Sequence, residues 1–207
     1  MADIIFYTNP MSRGQIARWM LEEVEADYEQ VILDYGSSMK AAEYLAVNPM
    51  GKVPAIVHRG QVVTEGAAIC AYLADAYADA GLAPGAEERA AYYRWLFFAA
   101  GPVESAITNN YLKVEVAEDQ RAMAGYGSYD QVVDVLEREI AARDYVVGDR
   151  FTAADVYFGS QIIWGVQFGS LPKRAAFLPY VERLTARPAY QKAKAIDDAL
   201  IAEIKAG

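Results

Sequence analysis

The chain is 207 residues long, 54% hydrophobic and 23% charged, with no internal repeat or low-complexity tract, so it is long enough to bury a core and falls outside the disordered and fibrous classes. Its formal net charge of −9 repels phosphate backbones and anionic lipid surfaces, and neither a nucleic-acid partner nor a membrane is expected. A single cysteine, Cys70, closes no intramolecular disulfide, and the N-terminus lacks the basic-then-apolar pattern of a secretory leader; both fit a cytoplasmic protein.

Residues 4–8 form a continuous run of apolar, β-branched and aromatic residues, which predicts a short buried strand. Asn9 and Pro10 break it. From Ser12 the apolar positions Ile16, Met20, Leu21 and Val24 recur at helical spacing, and residues 28–33 then read as a second strand. A strand–helix–strand unit with a right-handed crossover makes the two strands parallel. The segment "SSMKAAEYLAVNP" predicts a short helix ending near Val47, because a residue before proline is pushed out of the α region. Residues 55–58 and 61–64 read as a hairpin about Arg59-Gly60, although Asn-Gly would be the stronger turn signal. With the helical pattern of "EGAAICAYLADAYADA", the order over residues 3–79 is βαβαββα.

The segment "AGLAPGA", residues 80–86, is rich in Gly, Ala and Pro, and no strand alternation follows it. Helices are expected over residues 87–118, with a kink or break at Gly101-Pro102, and over 126–142, 153–168, 177–186 and 189–205. The fold class is α/β plus all-α: an α/β domain at 1–79, a linker at 80–86 and an all-helical domain at 87–207. In "FTAADV", residues 151–156, Thr152 and Asp155 have the spacing of a helix-capping pair, a role in stability and not in catalysis.

Three stretches carry candidate chemistry. Ser12, with Gln15 three residues on, has capping-box spacing; a hydroxyl at a helix N-terminus is also where a thiolate would be held, since a hydrogen bond and the positive dipole end both favour the charged form. In "NPMGKVPAIV" the Val53-Pro54 bond opens a strand; a trans bond is the commoner form, and a cis bond would turn the N–H and C=O of Val53 outward to pair with an extended peptide. In "TEGAAI", Glu65 and Gly66 lie at a helix start, where free N–H groups attract a carboxylate and Glu65 can hold an ammonium, although capping is the commoner use of such residues.

Taken in order, the opening strand with Pro10 and Ser12, "NPMGKVPAIV", "TEGAAICAYL" and "FTAADV" resemble the glutathione S-transferase family over essentially the whole chain. The resemblance implies a thioredoxin-like N-terminal domain with a cis proline, an all-α C-terminal domain and a homodimer. It implies glutathione as co-substrate and a thiol activated by Ser12 in the manner of the bacterial, serine-type members; no metal is expected, because His58 is the only histidine and no metal cluster can be built from it. Tyr7 on the first strand and Asn9 in the loop stand where other classes place their sulfur-binding group, and the order of preference is Ser12, Tyr7, Asn9. Glutathione itself would be held by Lys40, Lys52, Val53, Pro54, Glu65 and Gly66. Gly66 replaces a serine common in the family, which removes one side-chain hydrogen bond to the γ-glutamyl carboxylate. The acceptor substrate would meet Met11, Phe97, Glu104, Thr108, Asn109 and Tyr111.

The expected function is a detoxifying transferase that conjugates glutathione to a small, moderately apolar electrophile. The alternatives are a non-catalytic glutathione-binding or regulatory protein, or a glutathione-dependent peroxidase or isomerase. With no cysteine at positions 7, 9 or 12, thiol-disulfide exchange is disfavoured, and Cys70 falls mid-helix on an apolar face.

Overall fold

A computed structural model describes residues 2–206. The chain divides into two compact units, one made of the residues up to Ala83 together with those from Ala186 onward, the other of Pro84–Thr185. In the first, strand β1 (Ile4–Thr8) leads through helix α1 (Gly14–Glu23) to β2 (Tyr28–Ile32). A 3-10 turn (Ser38–Lys40), a short α2 (Ala42–Leu45), the hairpin β3 (Ala55–His58) and β4 (Gln61–Thr64), and α3 (Gly66–Ala76) follow. The four strands lie in the order β2-β1-β3-β4, with β1 and β2 parallel and the other two pairings antiparallel. This is a thioredoxin-like mixed sheet, and the parallel crossover matches its expectation.

Alternation along β1 decides what its two faces cover. Ile4, Phe6 and Thr8 are fully buried, as are Ile16 and Met20 of α1 and Ile69 and Leu73 of α3. Tyr7 points to the opposite face, among Leu33, Met39, Tyr44 and Ala55. The hairpin closes on two residues with positive φ, Arg59 at 51° and Gly60 at 79°, the geometry of the primed turns that match strand twist. Arg59 is an unusual occupant, and its Nε and Nη2 donate to Asp3 Oδ2 at 3.2 and 3.0 Å.

The second unit is all helical: α4 (Arg89–Phe98), α5 (Glu104–Tyr111), α6 (Tyr129–Ala141), α7 (Ala153–Phe168) and α8 (Phe177–Thr185). Helix α7 is buried on nearly every side, with the Phe158 ring edge-on to Trp95 and Tyr180. Between α4 and α5 the chain makes a π-helical turn, Ala99–Val103, around Pro102. The wider turn accommodates a residue that has no N–H to donate, so the helical path runs on through Pro102. The helix does not reach residue 118 as the sequence reading has it. It ends at Tyr111, beyond which Lys113 turns left-handed at φ 56° and residues 112–128 hold only a 3-10 turn at Glu118–Gln120.

The last helix, α9 (Pro188–Ala206), belongs with the first unit, whereas the sequence reading assigns everything after residue 86 to the helical domain. The reason lies on α1, whose Arg18, Trp19, Glu22 and Glu23 find their partners on α9 and on Arg187 just before it. Arg18 Nε donates to Asp197 Oδ1 at 2.9 Å, the Trp19 ring meets Tyr190 edge-on, Lys192 pairs with Glu22 at 2.6 Å, and Arg187 grips Glu23 at 2.6 and 2.7 Å. An apolar-period reading of α1 passes over these polar positions.

Candidate active site

Strand register brings the candidate residues of the first unit to one end of the sheet. Thr8, the last residue of β1, pairs with Ile32; Tyr7 pairs with Ala55, and Ala55 pairs with Thr64. The loop carrying Asn9 to Ser12, the bond Val53-Pro54 and the step Glu65-Gly66 therefore all leave the sheet at the same edge. The Val53-Pro54 bond is cis.

At the start of α1 the Ser12 hydroxyl donates to the Asn9 carbonyl oxygen at 2.6 Å and accepts from the Gly14 N–H at 2.9 Å. The expected reciprocal box with Gln15 does not form; Gln15 Nε2 donates to the Pro10 carbonyl instead, at 2.6 Å. Ser12 thus shapes the turn into α1, and its hydroxyl proton must leave Asn9 to reach a sulfur. Asn9 is buried, its Nδ2 donating to Leu33 O at 2.8 Å and its Oδ1 accepting from Met11 N at 2.9 Å. The amide fastens the loop to the segment after β2. Tyr7 rests half-buried against Tyr44, ring centroids 5.3 Å apart. Gly14 allows the close approach of α1 to β1, since a Cβ there would overlap Thr8 Oγ1.

The loop before the cis bond is held by residues that the sequence reading passes over. Asn48 Nδ2 donates to Lys52 O at 2.8 Å while its Oδ1 accepts from Met50 N at 3.1 Å, and the Tyr44 hydroxyl also donates to Lys52 O. Burial pushes the Tyr44 phenol up to about 12, which keeps it a donor. Asn-Pro followed by Gly was the available signal, an Asx turn closing on itself. Gly51 sits at φ 56°, and a Cβ there would lie 2.8 Å from the Met39 carbonyl oxygen. Gly51→Ala should therefore cost about 2 kcal/mol, read as a lower urea midpoint; a change within 0.5 kcal/mol would show that the loop can shift to accept a Cβ. Lys40 Nζ donates to Gly51 O at 2.6 Å, so it clamps this loop. The ammonium of Lys52 is exposed, with no partner among the described residues.

Helix α3 begins without a side-chain cap, so neither Thr64 nor Glu65 takes the bland role open to it. Glu65 adopts φ 64° and ψ 116°, a conformation that costs a non-glycine residue about 1–3 kcal/mol and is held only where the surroundings fix it. Its carboxylate is exposed and makes no ion pair among the described residues. The first N–H groups of α3 and this carboxylate thus offer complementary charge at one turn. Cys70, one helical turn further on, is fully buried, and burial pushes its thiol well up, which leaves it packed and unreactive at neutral pH.

The expected acceptor residues belong to both units. Met11 is exposed in the first unit, its carbonyl accepting from the Tyr35 hydroxyl at 3.1 Å. In the second unit Phe97, Thr108 and Tyr111 are exposed, Asn109 Nδ2 donates to Tyr126 Oη at 2.9 Å, and Glu104 accepts from the Tyr157 hydroxyl. Glu104 and Asn109 are thereby tied into the unit's own framework.

The first unit is a thioredoxin-like sheet with a cis proline at the end where two helices begin, and the second is all helical. Residues 2–75 match the family model described as glutathione S-transferase, N-terminal domain. The chain is 30% identical to glutathione S-transferase 3 of Zea mays, over 93% of each chain. Among solved structures it is similar to a glutathione transferase from Methylococcus capsulatus, with a TM-score of 0.78 and 29% identity, over 95% of this chain and 99% of that one. It is also similar to the theta class glutathione S-transferase of Xanthomonas axonopodis pv. citri with glutathione bound, with a TM-score of 0.75 and 28% identity, over 93% and 97%. The chain belongs to the glutathione S-transferase family.

Proposed function

We propose that the chain is a glutathione transferase that activates the thiol of glutathione at the start of α1 and adds the sulfur to a small, moderately apolar electrophile. The observation that carries this is the meeting, at one end of the sheet, of the cis Val53-Pro54 bond, an uncapped helix start with an unpaired carboxylate at Glu65-Gly66, and a hydroxyl at Ser12. Val53 would pair with the cysteinyl backbone. The α3 N-terminus would take the γ-glutamyl carboxylate and Glu65 the amino group, with Lys52 on the glycine carboxylate and Lys40 behind it holding the loop.

Sulfur then lies at the α1 N-terminus, where Ser12 turns its proton from the Asn9 carbonyl toward the thiolate. A thiol near ~8.5 is mostly protonated at neutral pH, and lowering it by about 2 units makes most of it nucleophilic. Attack on the electrophilic carbon forms the C–S bond as the leaving group departs, or as a proton is taken up at the neighbouring carbon of an enone. The protein contributes charge stabilisation and placement, and forms no covalent intermediate. Met11, Phe97, Thr108 and Tyr111 are the acceptor-side candidates, and the assembly is a cytoplasmic homodimer.

Ultraviolet thiolate absorbance of bound glutathione against pH tests this. Ser12→Ala should raise the thiol titration by about 1–2 units, with kcat/KM falling about 10- to 100-fold, the range for one charge-assisted hydrogen bond. An unchanged titration in Ser12→Ala removes Ser12 from the chemistry, and Tyr7→Phe and Asn9→Ala then identify the donor. Binding by calorimetry without turnover of aryl halides, enones, epoxides or peroxides would favour a binding protein over an enzyme.

A further inference from the structure

Helix α1 carries its charge the wrong way round for an isolated helix. Its last turn holds Glu22 and Glu23 and no basic residue, and its first turn holds no acid. Two carboxylates at the C-terminal end add to the negative pole of the macrodipole and lower the positive potential at the other end. Both side chains are only 5% exposed, so they are poorly screened. The cations that answer them are Lys192 on α9 and Arg187, the residue just before that helix. Arg187 forms a two-pronged pair with Glu23, which also accepts from Trp19 Nε1 at 2.8 Å, and Lys192 pairs with Glu22, which also accepts from the Tyr28 hydroxyl at 2.7 Å. The other charged or titratable groups in this layer include Arg18 with Asp197, Tyr190, Lys194 and Asp198 of α9, and the exposed Glu25.

We propose that Arg187 and Lys192 are positioning residues for thiol activation: by neutralising Glu22 and Glu23 they restore the positive pole at the opposite end of α1, where glutathione sulfur is held. The proposal rests on the function argued above and adds to it a remote electrostatic control by the last helix. The α1 axis from Gly14 to Glu23 is about 13 Å long. One uncovered charge at about 15 Å, through an effective dielectric between about 20 and 80, moves a titration by roughly 0.2 to 0.8 unit.

The test is the thiolate titration of bound glutathione in the full chain at low salt. Lys192→Met and Arg187→Gln should each raise the thiol titration by roughly 0.2 to 0.8 unit, and Glu22→Gln and Glu23→Gln should lower it by a similar amount. Glu22→Gln with Lys192→Met should return it to the wild-type position, and the single shifts should shrink in 0.5 M salt. Lys192 is 69% exposed, so its replacement leaves the fold standing and keeps the test usable if a Glu23 or Arg187 variant unfolds. A helix that was merely loosened would shift in the same direction whichever partner was removed. Same-sign shifts, or no shift while the wild type shows bound thiolate, overturn this inference alone. If the wild type shows no bound thiolate at saturating glutathione, the functional reading fails and carries this inference with it.

Discussion

Replacing Asp155 by Ala is expected to destabilise the helical unit by about 4 kcal/mol. The carboxylate has no exposure, and four donors converge on it: the N–H of Val146 at 2.7 Å, the N–H of Thr152 at 2.9 Å, the Thr152 hydroxyl at 3.1 Å and the Tyr180 hydroxyl at 2.9 Å. Alanine leaves all four buried without an acceptor. Each such group costs about 1–3 kcal/mol when unsatisfied, and partial relaxation brings the sum down to the figure above. Asp155→Asn, which keeps one oxygen, should lose about half as much. Urea unfolding of the two variants checks this, and a loss under 1 kcal/mol for Asp155→Ala would mean that water replaces the carboxylate at every donor.

The second large effect is expected at Arg18, which is fully buried between β1 and α9. Its guanidinium lies 5.2 Å from the Phe6 ring centroid, donates from Nη1 to Tyr28 Oη at 3.1 Å, and pairs through Nε with Asp197. Arg18→Ala strands Asp197 and should cost about 3–5 kcal/mol at pH 8, whereas Arg18→Met with Asp197→Leu should recover most of that loss. The single variant should also be strongly pH-dependent. Burial pushes the Asp197 carboxyl up to about 6 even with Arg18 beside it, and further without it. A carboxyl raised in the folded state contributes most below its unfolded value near 4 and loses that contribution as pH rises through the folded value. The penalty of Arg18→Ala should therefore be small at pH 5 and grow toward pH 8. A penalty that is flat with pH would show that Asp197 finds another cation.

The sheet was readable because period and punctuation agreed: residues 4–8, 55–58 and 61–64 are predicted and observed with the same limits. Helix α7 was equally clear, from its apolar run and the Thr152–Asp155 pair, whose reciprocal capping contacts are present. What escaped lies where one residue answers another far along the chain. Arg18 and Asp197, 179 residues apart, look like two solvated charges until α9 is folded against α1. At the candidate site, Pro54, Glu65 and Ser12 stood out by residue type. Asn48, Tyr44 and Gly51 did not, since they act by holding the backbone of residues 50–52 and carry no reactive group. Ser12 itself shows the limit of spacing rules: the serine stands out, but Gln15, expected to accept from the Ser12 N–H, donates to the Pro10 carbonyl instead.

Because its sheet and its last helix are separated in sequence by the whole of Pro84–Thr185, the first unit is complete only after the ribosome has delivered the second. Until then the Trp19 indole lacks its Tyr190 neighbour, and a buried arginine waits for its counter-ion. Closure of that long loop is expected to be the slow, high-contact-order event in its assembly, and the arrival of Tyr190 against Trp19 offers it an intrinsic optical marker.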